Sequence, residues 1–400
     1  MMRGVAAVLV VFAHAVDLVQ QHPQLGRSRI IGIGYLENVG AIGVDLFFII
    51  SGFVMALSVS RLRGVRHSRE FLVARWLRIA PPFLTSAGLL ICFLSFAGIP
   101  AAMPWRALVN AVLFIPVADS ATYTPPVMFV GWTLGFEFTF YLGVAVLIAL
   151  GLARRPEILA LAIVAVVGIG ALTRPEHFLL RWVTNPIMLE FVLGILAYRL
   201  WERGLLTRTR LLQWVLAIGA LGVLGVELVI GYGGVADAWL VLDGSLSAQR
   251  VLIWGLPLFF IFLALLPLRG RSEPSRAGRW ARKVGDTSYS LYVVHPLVFC
   301  VLAITLDRAR FPALPLGDTF LLGAVALAVG AGMCFHQWVE RPAIERAKAR
   351  SPHRPASLPG PSDHSGGDVV AHTQRLAMFP SSLPPLPQTQ SPRGRRSTAA

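Results

Sequence analysis

Residues 2–16 read MRGVAAVLVVFAHAV, an apolar run that contains one cation, Arg3, and one imidazole, His14. The two residues are eleven positions apart, close to a whole number of helical turns, so both side chains are predicted on one face of a helix. At a rise of about 1.5 Å per residue, His14 lies about 16 Å from Arg3, near the middle of a hydrocarbon core about 30 Å thick. An ionisable side chain at that depth indicates a functional site. The alternative is a histidine that only bonds a neighbouring helix.

The rest of the chain has the same apolar character. Its 400 residues are 55% hydrophobic and only 14% charged, and its mean hydropathy is +0.65. Apolar runs of about 17 to 25 residues are long enough to cross a bilayer as helices. We therefore predict an all-α, polytopic integral membrane protein with about ten spans, at 3–19, 40–60, 79–98, 129–151, 156–172, 184–200, 211–232, 250–268, 286–305 and 317–338. The segment 105–118 is short and contains Arg106 and Asn110, so it is predicted to be interfacial or re-entrant.

The formal net charge is +15. A basic chain can bind nucleic acid, but this one has no basic patch interleaved with the aromatic side chains that stack on bases. We therefore predict a lipid bilayer and no nucleic acid among its partners. The arginines gather instead in the even-numbered loops between the predicted spans. Because positive charge marks the cytoplasmic side, both termini are predicted to be cytoplasmic.

Composition also divides the chain into two parts. Residues 349–400 are rich in Pro, Ser, Gly and Arg and cannot bury a core, so they are predicted to form a disordered cytoplasmic tail after a transmembrane domain at 1–348. Cys92, Cys300 and Cys334 stand singly within apolar runs. They show neither metal-ligand nor disulfide spacing, and no metal site is predicted.

Three further ionisable residues lie within predicted spans. Asp45, in GVDLFFIISGF (43–53), is predicted at about the depth of His14, where a carboxylate could orient the imidazole or bond a backbone group instead. Glu137, in GWTLGFEFTFYL (131–142), could act as an acid or base, bond an acceptor hydroxyl or neutralise an arginine. His295 precedes Pro296 near mid-membrane. It could take part in catalysis or bond a neighbouring helix.

The stretch RWLRIAPPF (75–83) places Arg75 and Arg78 three positions apart at the predicted cytoplasmic mouth, where Arg3 also enters. Planar guanidinium groups bind phosphate well, although anchoring to the cytoplasmic surface is the alternative. Arginines at one end and ionisable groups deeper in the membrane suit a ligand with a phosphorylated head and a reactive tip.

Six stretches together resemble the membrane-bound acyltransferase-3 family of bacterial O-acetylating enzymes. They occur in the family's order at RGVAAVLVVFAHA (3–15), GVDLFFIISGF (43–53), RWLRIAPPF (75–83), GWTLGFEFTFYL (131–142), SYSLYVVHP (288–296) and WVERPAIE (338–345). The resemblance implies a ten-helix enzyme of the bacterial inner membrane. It would use acyl-CoA, usually acetyl-CoA, as a co-substrate and hold no permanent cofactor.

The same resemblance assigns roles to particular residues. Arg3 and His14 match the family's arginine-x10-histidine pattern, in which the histidine is catalytic. Arg75 and Arg78 match an arginine pair, which with Arg3 implies a binding site for the acyl-CoA phosphates. Glu137 matches the acid of a W-[ST]-L-x-x-E motif. Asp45 is predicted to assist catalysis, and Trp132, Tyr289 and His295 to bind substrate or support the site. Members of the family carry several residues before the first arginine, whereas two methionines precede Arg3 here.

We predict direct acyl transfer, in which His14 takes a proton from an acceptor hydroxyl and the oxygen attacks the thioester. An acyl-histidine intermediate is the alternative route. The resemblance leaves the acceptor open among exopolysaccharide, lipopolysaccharide, a lipid-linked sugar and a small metabolite. A rival function is a proton-coupled transporter that uses the same intramembrane groups. That class is typified by inverted repeats, which this sequence does not show.

Overall fold

The computed structural model describes residues 2–33, 35–100, 104–117, 123–231, 233–266, 285–309 and 316–349. These residues are mostly helical and contain no β-sheet. The predicted tail lies outside them except for Ala349. The α-helices are α1 (Met2–Gln21), α2 (Leu36–Val59), α3 (Gly64–Phe96), α4 (Trp105–Leu113), α5 (Trp132–Ala149), α6 (Pro156–Thr173), α7 (Phe178–Val183), α8 (Leu189–Glu202), α9 (Leu205–Arg208), α10 (Arg210–Ile230), α11 (Ala238–Leu242), α12 (Ser247–Arg250), α13 (Leu256–Leu265), α14 (Ser288–Ala309), α15 (Gly317–Phe335) and α16 (Arg341–Ala349).

Among the described residues, 10 helical segments are long and apolar enough to cross a membrane, which confirms the predicted fold class. Several are composite. A 3-10 turn at Pro186–Met188 joins α7 to α8, and π-helical turns at Val251–Gly255 and His336–Glu340 interrupt the segments formed by α12–α13 and α15–α16. Such π turns re-aim side chains within a helix and are frequent at functional sites.

The third segment starts earlier than predicted. We placed its beginning at residue 79 and counted the preceding arginines as a loop, but α3 runs from Gly64 to Phe96. Its first half carries charged residues on one side, while Phe71 and Arg75 on the other side are buried. The charges lower the local hydropathy, so a hydropathy window misses the amphipathic half of a helix that is continuous.

The short helix after α3 does not span the membrane. Helix α4 has 9 residues and is therefore about 14 Å long, too short to cross a core about 30 Å thick. It ends at Phe114, whose backbone has a φ of +53°. The observed helix agrees with an interfacial or re-entrant segment.

Helix α2 is central because α1 and α8 pack closely against it. A Cβ atom on Gly43 would lie 2.3 Å from the carbonyl oxygen of Ala6 in α1, and one on Gly52 would lie 2.2 Å from that of Phe191 in α8. Small residues let membrane helices approach this closely. The first contact fixes α1, which carries Arg3 and His14, against the middle of the bundle.

Candidate active site

A cluster of arginines lies inside the bundle, at the level of the middle of α2. The Arg3 guanidinium carbon is 6.0 Å from the centroid of the Phe47 ring, and Phe47 lies well within the segment Gly40–Val59. This corrects the prediction that Arg3 enters at the cytoplasmic mouth, because α1 begins level with the interior of α2. His14 accordingly lies toward the end of the bundle where α2 begins.

The structure brings together the three arginines that the sequence singled out. Arg75 is 6% exposed, and its guanidinium lies over the rings of Phe71 and Tyr141, at 5.4 and 5.6 Å. Arg3, Arg75 and Arg78 are close enough to repel one another electrostatically. The Nε groups of Arg3 and Arg75 are buried and have no hydrogen-bond partner among the described residues. A cationic cluster with free donors is suited to an anionic ligand.

Glu137 supplies the opposite charge. Its Oε1 accepts hydrogen bonds from the Ser51 hydroxyl at 2.8 Å and from the Tyr141 hydroxyl at 2.5 Å. The carboxylate attracts both Arg3 and Arg75 electrostatically. Glu137 therefore lies among the arginines, and the structure does not give it a contact with His14. Of the alternatives that the sequence left open, this position agrees with partial neutralisation of the arginines.

A small cavity, partly open to its surroundings, lies next to this cluster. Its lining combines the polar groups of three helices, α1, α5 and α14, with apolar side chains of α2 and α5. The lining residues are Arg3, Val44, Phe47, Phe48, Thr133, Leu134, Glu137, Tyr289 and Tyr292.

The two predicted site histidines stack on each other. The rings of His14 and His295 have centroids 5.2 Å apart and planes 21° apart. The His14 side chain is 41% exposed, and its Nδ1 lies 3.4 Å from Oδ2 of Asp17. His295 is fully buried. Asp17, one turn after His14 on the same helix face, was missed by the sequence analysis, although the i, i+3 spacing was visible.

Asp45 pairs with an arginine rather than with His14. Both of its oxygens accept hydrogen bonds from Arg250, at 2.8 Å from Nε and 2.7 Å from Nη2. Both side chains are almost completely buried. Of the two alternatives left open for Asp45, the structure does not show contact with His14, because equal depth on adjacent helices does not by itself bring side chains together. Arg250, the first residue of the predicted span 250–268, ends α12 and faces the interior.

Two more carboxyl groups surround this pair. Glu190, also fully buried, interacts with Asp45, and neither of its oxygens receives a hydrogen bond from an N–H or O–H group of the described residues. A buried carboxyl beside a carboxylate is accommodated when it holds a proton between the two. Glu227 accepts a hydrogen bond from the Trp254 indole at 2.6 Å. None of these carboxyl groups was identified from the sequence.

The remaining predicted residues support the site. The Tyr289 hydroxyl donates to the carbonyl oxygen of Ile79 at 2.6 Å while its ring lines the cavity. Trp132 is buried and meets the Phe136 ring edge-on, so it contributes to packing. Tyr292, which we did not single out, donates to the Val130 carbonyl at 2.9 Å.

A second carboxylate approaches the cluster from the far end of the chain. Glu340, in the π turn before α16, accepts a hydrogen bond from Ser290 at 2.5 Å and is 2.8 Å from Nδ1 of His336. It also attracts Arg3 electrostatically. The stretch WVERPAIE (338–345) marked this region by resemblance alone, without assigning a role to Glu340.

These features define a multi-pass membrane protein with a cavity lined by Arg3 and Glu137 and a pair of stacked imidazoles. Residues 1–334 match the sequence model of a family described as an acyltransferase domain, and the chain belongs to this acyltransferase-3 family. No solved structure gives a significant match.

Three relatives align with this chain over most of their own length. The chain is 28% identical over 329 residues to "Exopolysaccharide production protein ExoZ" of Rhizobium meliloti (strain 1021), covering 79% of this chain and 93% of the relative. It is 27% identical over 353 residues to "Acyltransferase MdmB" of Streptomyces mycarofaciens, covering 82% and 86%. It is 27% identical over 327 residues to "Nodulation protein 10" of Rhizobium leguminosarum bv. viciae, covering 74% and 81%. The protein is thus an O-acyltransferase.

Proposed function

We propose that this enzyme moves an acyl group, acetyl in the first instance, from acyl-CoA to a hydroxyl of a carbohydrate acceptor. The observation that carries the proposal is the cavity lined by Arg3 and Glu137, near which Arg75 also lies. Both arginines have an unpartnered Nε donor among the described residues. Coenzyme A brings phosphate groups that match these guanidinium groups. A relative named for exopolysaccharide production supports a carbohydrate acceptor.

In this proposal the arginines hold the phosphates and His14 acts on the acceptor. Arg78 joins Arg3 and Arg75 in binding, while Glu137, held by Ser51 and Tyr141, keeps the arginine cluster in place. His14, with Asp17 beside its Nδ1, presents its other ring nitrogen as the general base. A carboxylate that orients a histidine in this way favours the ring form that can accept a proton.

The location follows from the same picture. We propose that the enzyme lies in the bacterial inner membrane with both termini cytoplasmic, so that acyl-CoA enters from the cytosol and the acceptor from the envelope side. Excess arginine in the even-numbered loops supports this orientation. Fusions of a fluorescent protein and of a periplasmic phosphatase to the C-terminus test it: fluorescence with no phosphatase activity is expected, and the reverse would overturn it.

The function is tested with purified protein in lipid nanodiscs, labelled acetyl-CoA and surface glycan from cells that lack the enzyme. Label should pass to the glycan and be released by mild alkali, as an ester is. His14→Ala should slow transfer by about 10²- to 10⁴-fold, the usual contribution of a general base. His67→Ala, at an exposed position on α3, is the matched control and should leave the rate unchanged. A folded His14→Ala protein with the wild-type rate would falsify the assignment of the base.

A further inference from the structure

The two stacked imidazoles differ in their surroundings. His14 is partly exposed and has a carboxylate neighbour, Asp17. His295 is enclosed by three rings, those of His14, Tyr292 and Phe299, with centroids 5.2, 5.8 and 5.8 Å away. Neither imidazole is among the lining residues of the cavity, but Tyr292, which meets the His295 ring, is. His295 is therefore separated from the cavity by one side chain, and His14 is the imidazole next to the exterior of the bundle.

The hydrogen bonds of His295 define which ring nitrogen carries the proton. Its Nδ1 lies 3.2 Å from the carbonyl oxygen of Leu291, and because a carbonyl only accepts, Nδ1 is the donor. A buried imidazole without an anionic partner is neutral at least cost, so Nε2 holds a free lone pair. That atom is buried and has no hydrogen-bond partner among the described residues.

Burial and the neighbouring His14 disfavour positive charge on the His295 ring, and the backbone around the ring offsets part of that cost. Pro296 has no N–H, so the carbonyl of Tyr292 lacks its usual partner in the helix. That carbonyl interacts with the His295 ring together with the carbonyl of Leu291. Two carbonyl dipoles directed at one imidazole stabilise a cationic form that arises during reaction.

We propose, building on the function proposed above, that His295 is the nucleophile of a two-step transfer and that His14 serves only the second step. In the first step Nε2 of His295 forms a bond to the thioester carbonyl carbon, the C–S bond breaks, and coenzyme A leaves as a thiolate. The ring becomes an N-acyl imidazolium whose Nδ1–H donates to Leu291. Burial shields this reactive species from water.

In the second step His14 takes the proton of the acceptor hydroxyl, and the oxygen forms a bond to the acyl carbon. The C–N bond breaks and its electron pair returns to Nε2, which restores neutral His295. His14 then releases its proton to water, and the thiolate gains one, so the sum is acyl-CoA plus alcohol giving ester plus coenzyme A. A nucleophile with a separate base nearby is the general form of covalent catalysis.

An exchange experiment without any acceptor tests the first step alone. Wild-type protein in nanodiscs is incubated with acetyl-CoA and isotope-labelled coenzyme A, and label entering acetyl-CoA is measured. A covalent acyl-enzyme predicts exchange, whereas direct transfer predicts none. Transfer to glycan without exchange would overturn the inference while leaving the proposed function intact. Absence of both exchange and transfer would instead count against the proposed function.

Two variants separate the histidines. His14→Asn should keep exchange and lose transfer. Acetyl label should accumulate on this variant protein, and hydroxylamine should release the label as acetohydroxamate. His295→Asn should lower both exchange and transfer by at least about 100-fold, as removal of a nucleophile does. Exchange that persists in folded His295→Asn would refute the role of His295.

His22→Asn provides the matched control. His22 is also buried, and its Nδ1 bonds the carbonyl oxygen four residues before it, Leu18, at 2.7 Å. Its Nε2, unlike that of His295, faces a carboxylate, Asp307, at 3.3 Å. The substitution therefore removes the same backbone bond outside the site. Exchange should be unchanged in His22→Asn, so a loss confined to His295→Asn reflects chemistry and not the loss of a helix contact.

Discussion

The pair of Asp45 and Arg250 and the group around Arg3, Arg75 and His295 are both polar and buried, yet they are built differently. Arg250 donates to both Asp45 oxygens and to the carbonyls of Val235 and Ala41. In the other group, Nε of Arg3, Nε of Arg75 and Nε2 of His295 have no hydrogen-bond partner among the described residues. Folding does not leave such groups unpaired without cost. The Asp45–Arg250 pair therefore stabilises the fold, although Glu190 beside it also has no hydrogen-bond partner among the described residues. The second group is prepared for ligands.

The largest loss of stability is expected when the buried pair of Asp45 and Arg250 is broken. Asp45→Asn leaves Arg250 buried without its counter-ion, and removal of one partner of a buried pair costs about 3 to 5 kcal/mol. We expect a large loss of thermal stability in detergent, measured by the midpoint of unfolding. Glu157→Gln is the control, because it breaks a half-exposed pair with Arg199 that contributes at most about 1 kcal/mol.

A double variant separates stability from chemistry at this position. Asp45→Leu combined with Arg250→Met removes both charges, and apolar replacement of a buried pair is often neutral. Recovery of stability and of acyl transfer would show that Asp45 has no catalytic role. A stable but inactive double variant would return Asp45 to the catalytic assignment that the sequence analysis made.

The next largest effect, on the binding of acyl-CoA, is expected at the arginines whose Nε groups have no hydrogen-bond partner among the described residues. Arg75→Lys keeps the charge but removes the planar group and its Nε donor, so one charge-assisted hydrogen bond worth about 1.5 to 3 kcal/mol is lost. The KM for acyl-CoA should rise about 10- to 100-fold, with an unchanged unfolding midpoint. Arg66→Lys, at an exposed residue paired with Glu70, should change neither. A destabilised Arg75→Lys with normal KM would make Arg75 a structural residue.

The sequence predicted the fold and the arginine cluster well, but not the partners of the deeper groups. Hydropathy identifies a span from its own residues, and the six stretches brought Arg3, Arg75 and Glu137 onto one site. Contacts between distant spans depend on helix rotation and tilt, which hydropathy does not encode. A contact of Asp45 with His14 therefore stayed open as an alternative, although Arg250, 205 positions away, binds Asp45. The neighbours of His295 and Glu190 required the packed structure for the same reason.

A smaller effect is expected at Asp17. The His14–Asp17 contact at 3.4 Å is half-exposed, and exposed pairs contribute about 0.2 to 1 kcal/mol. Asp17→Asn should lower the rate of transfer about 2- to 5-fold by this energy and leave the KM for acyl-CoA unchanged. Asp307→Asn alters the comparable contact with His22 outside the site and should have no effect. Equal losses in both variants would mean that the carboxylates act through general electrostatics.

The smallest change in stability is expected for Glu190→Gln. This variant tests whether Glu190 belongs with the Asp45–Arg250 pair or with the groups that lack hydrogen-bond partners. If Glu190 carries a proton that it donates to Asp45, then Gln, which is similar in shape and presents an N–H₂ donor, replaces it closely. Glu190→Gln should change stability by less than about 0.5 kcal/mol, in the range of neutral substitutions. Glu190→Leu removes that donor from Asp45 and should cost more, about 1 to 3 kcal/mol.

Infrared difference spectra should show a protonated carboxyl C=O band in the wild type that is absent from Glu190→Gln. A large destabilisation by Gln, or no such band, would mean that Glu190 is ionised, and a net negative charge would then remain buried beside Arg250. The cluster would then resemble the unsatisfied region, and its assignment to stability alone would fail.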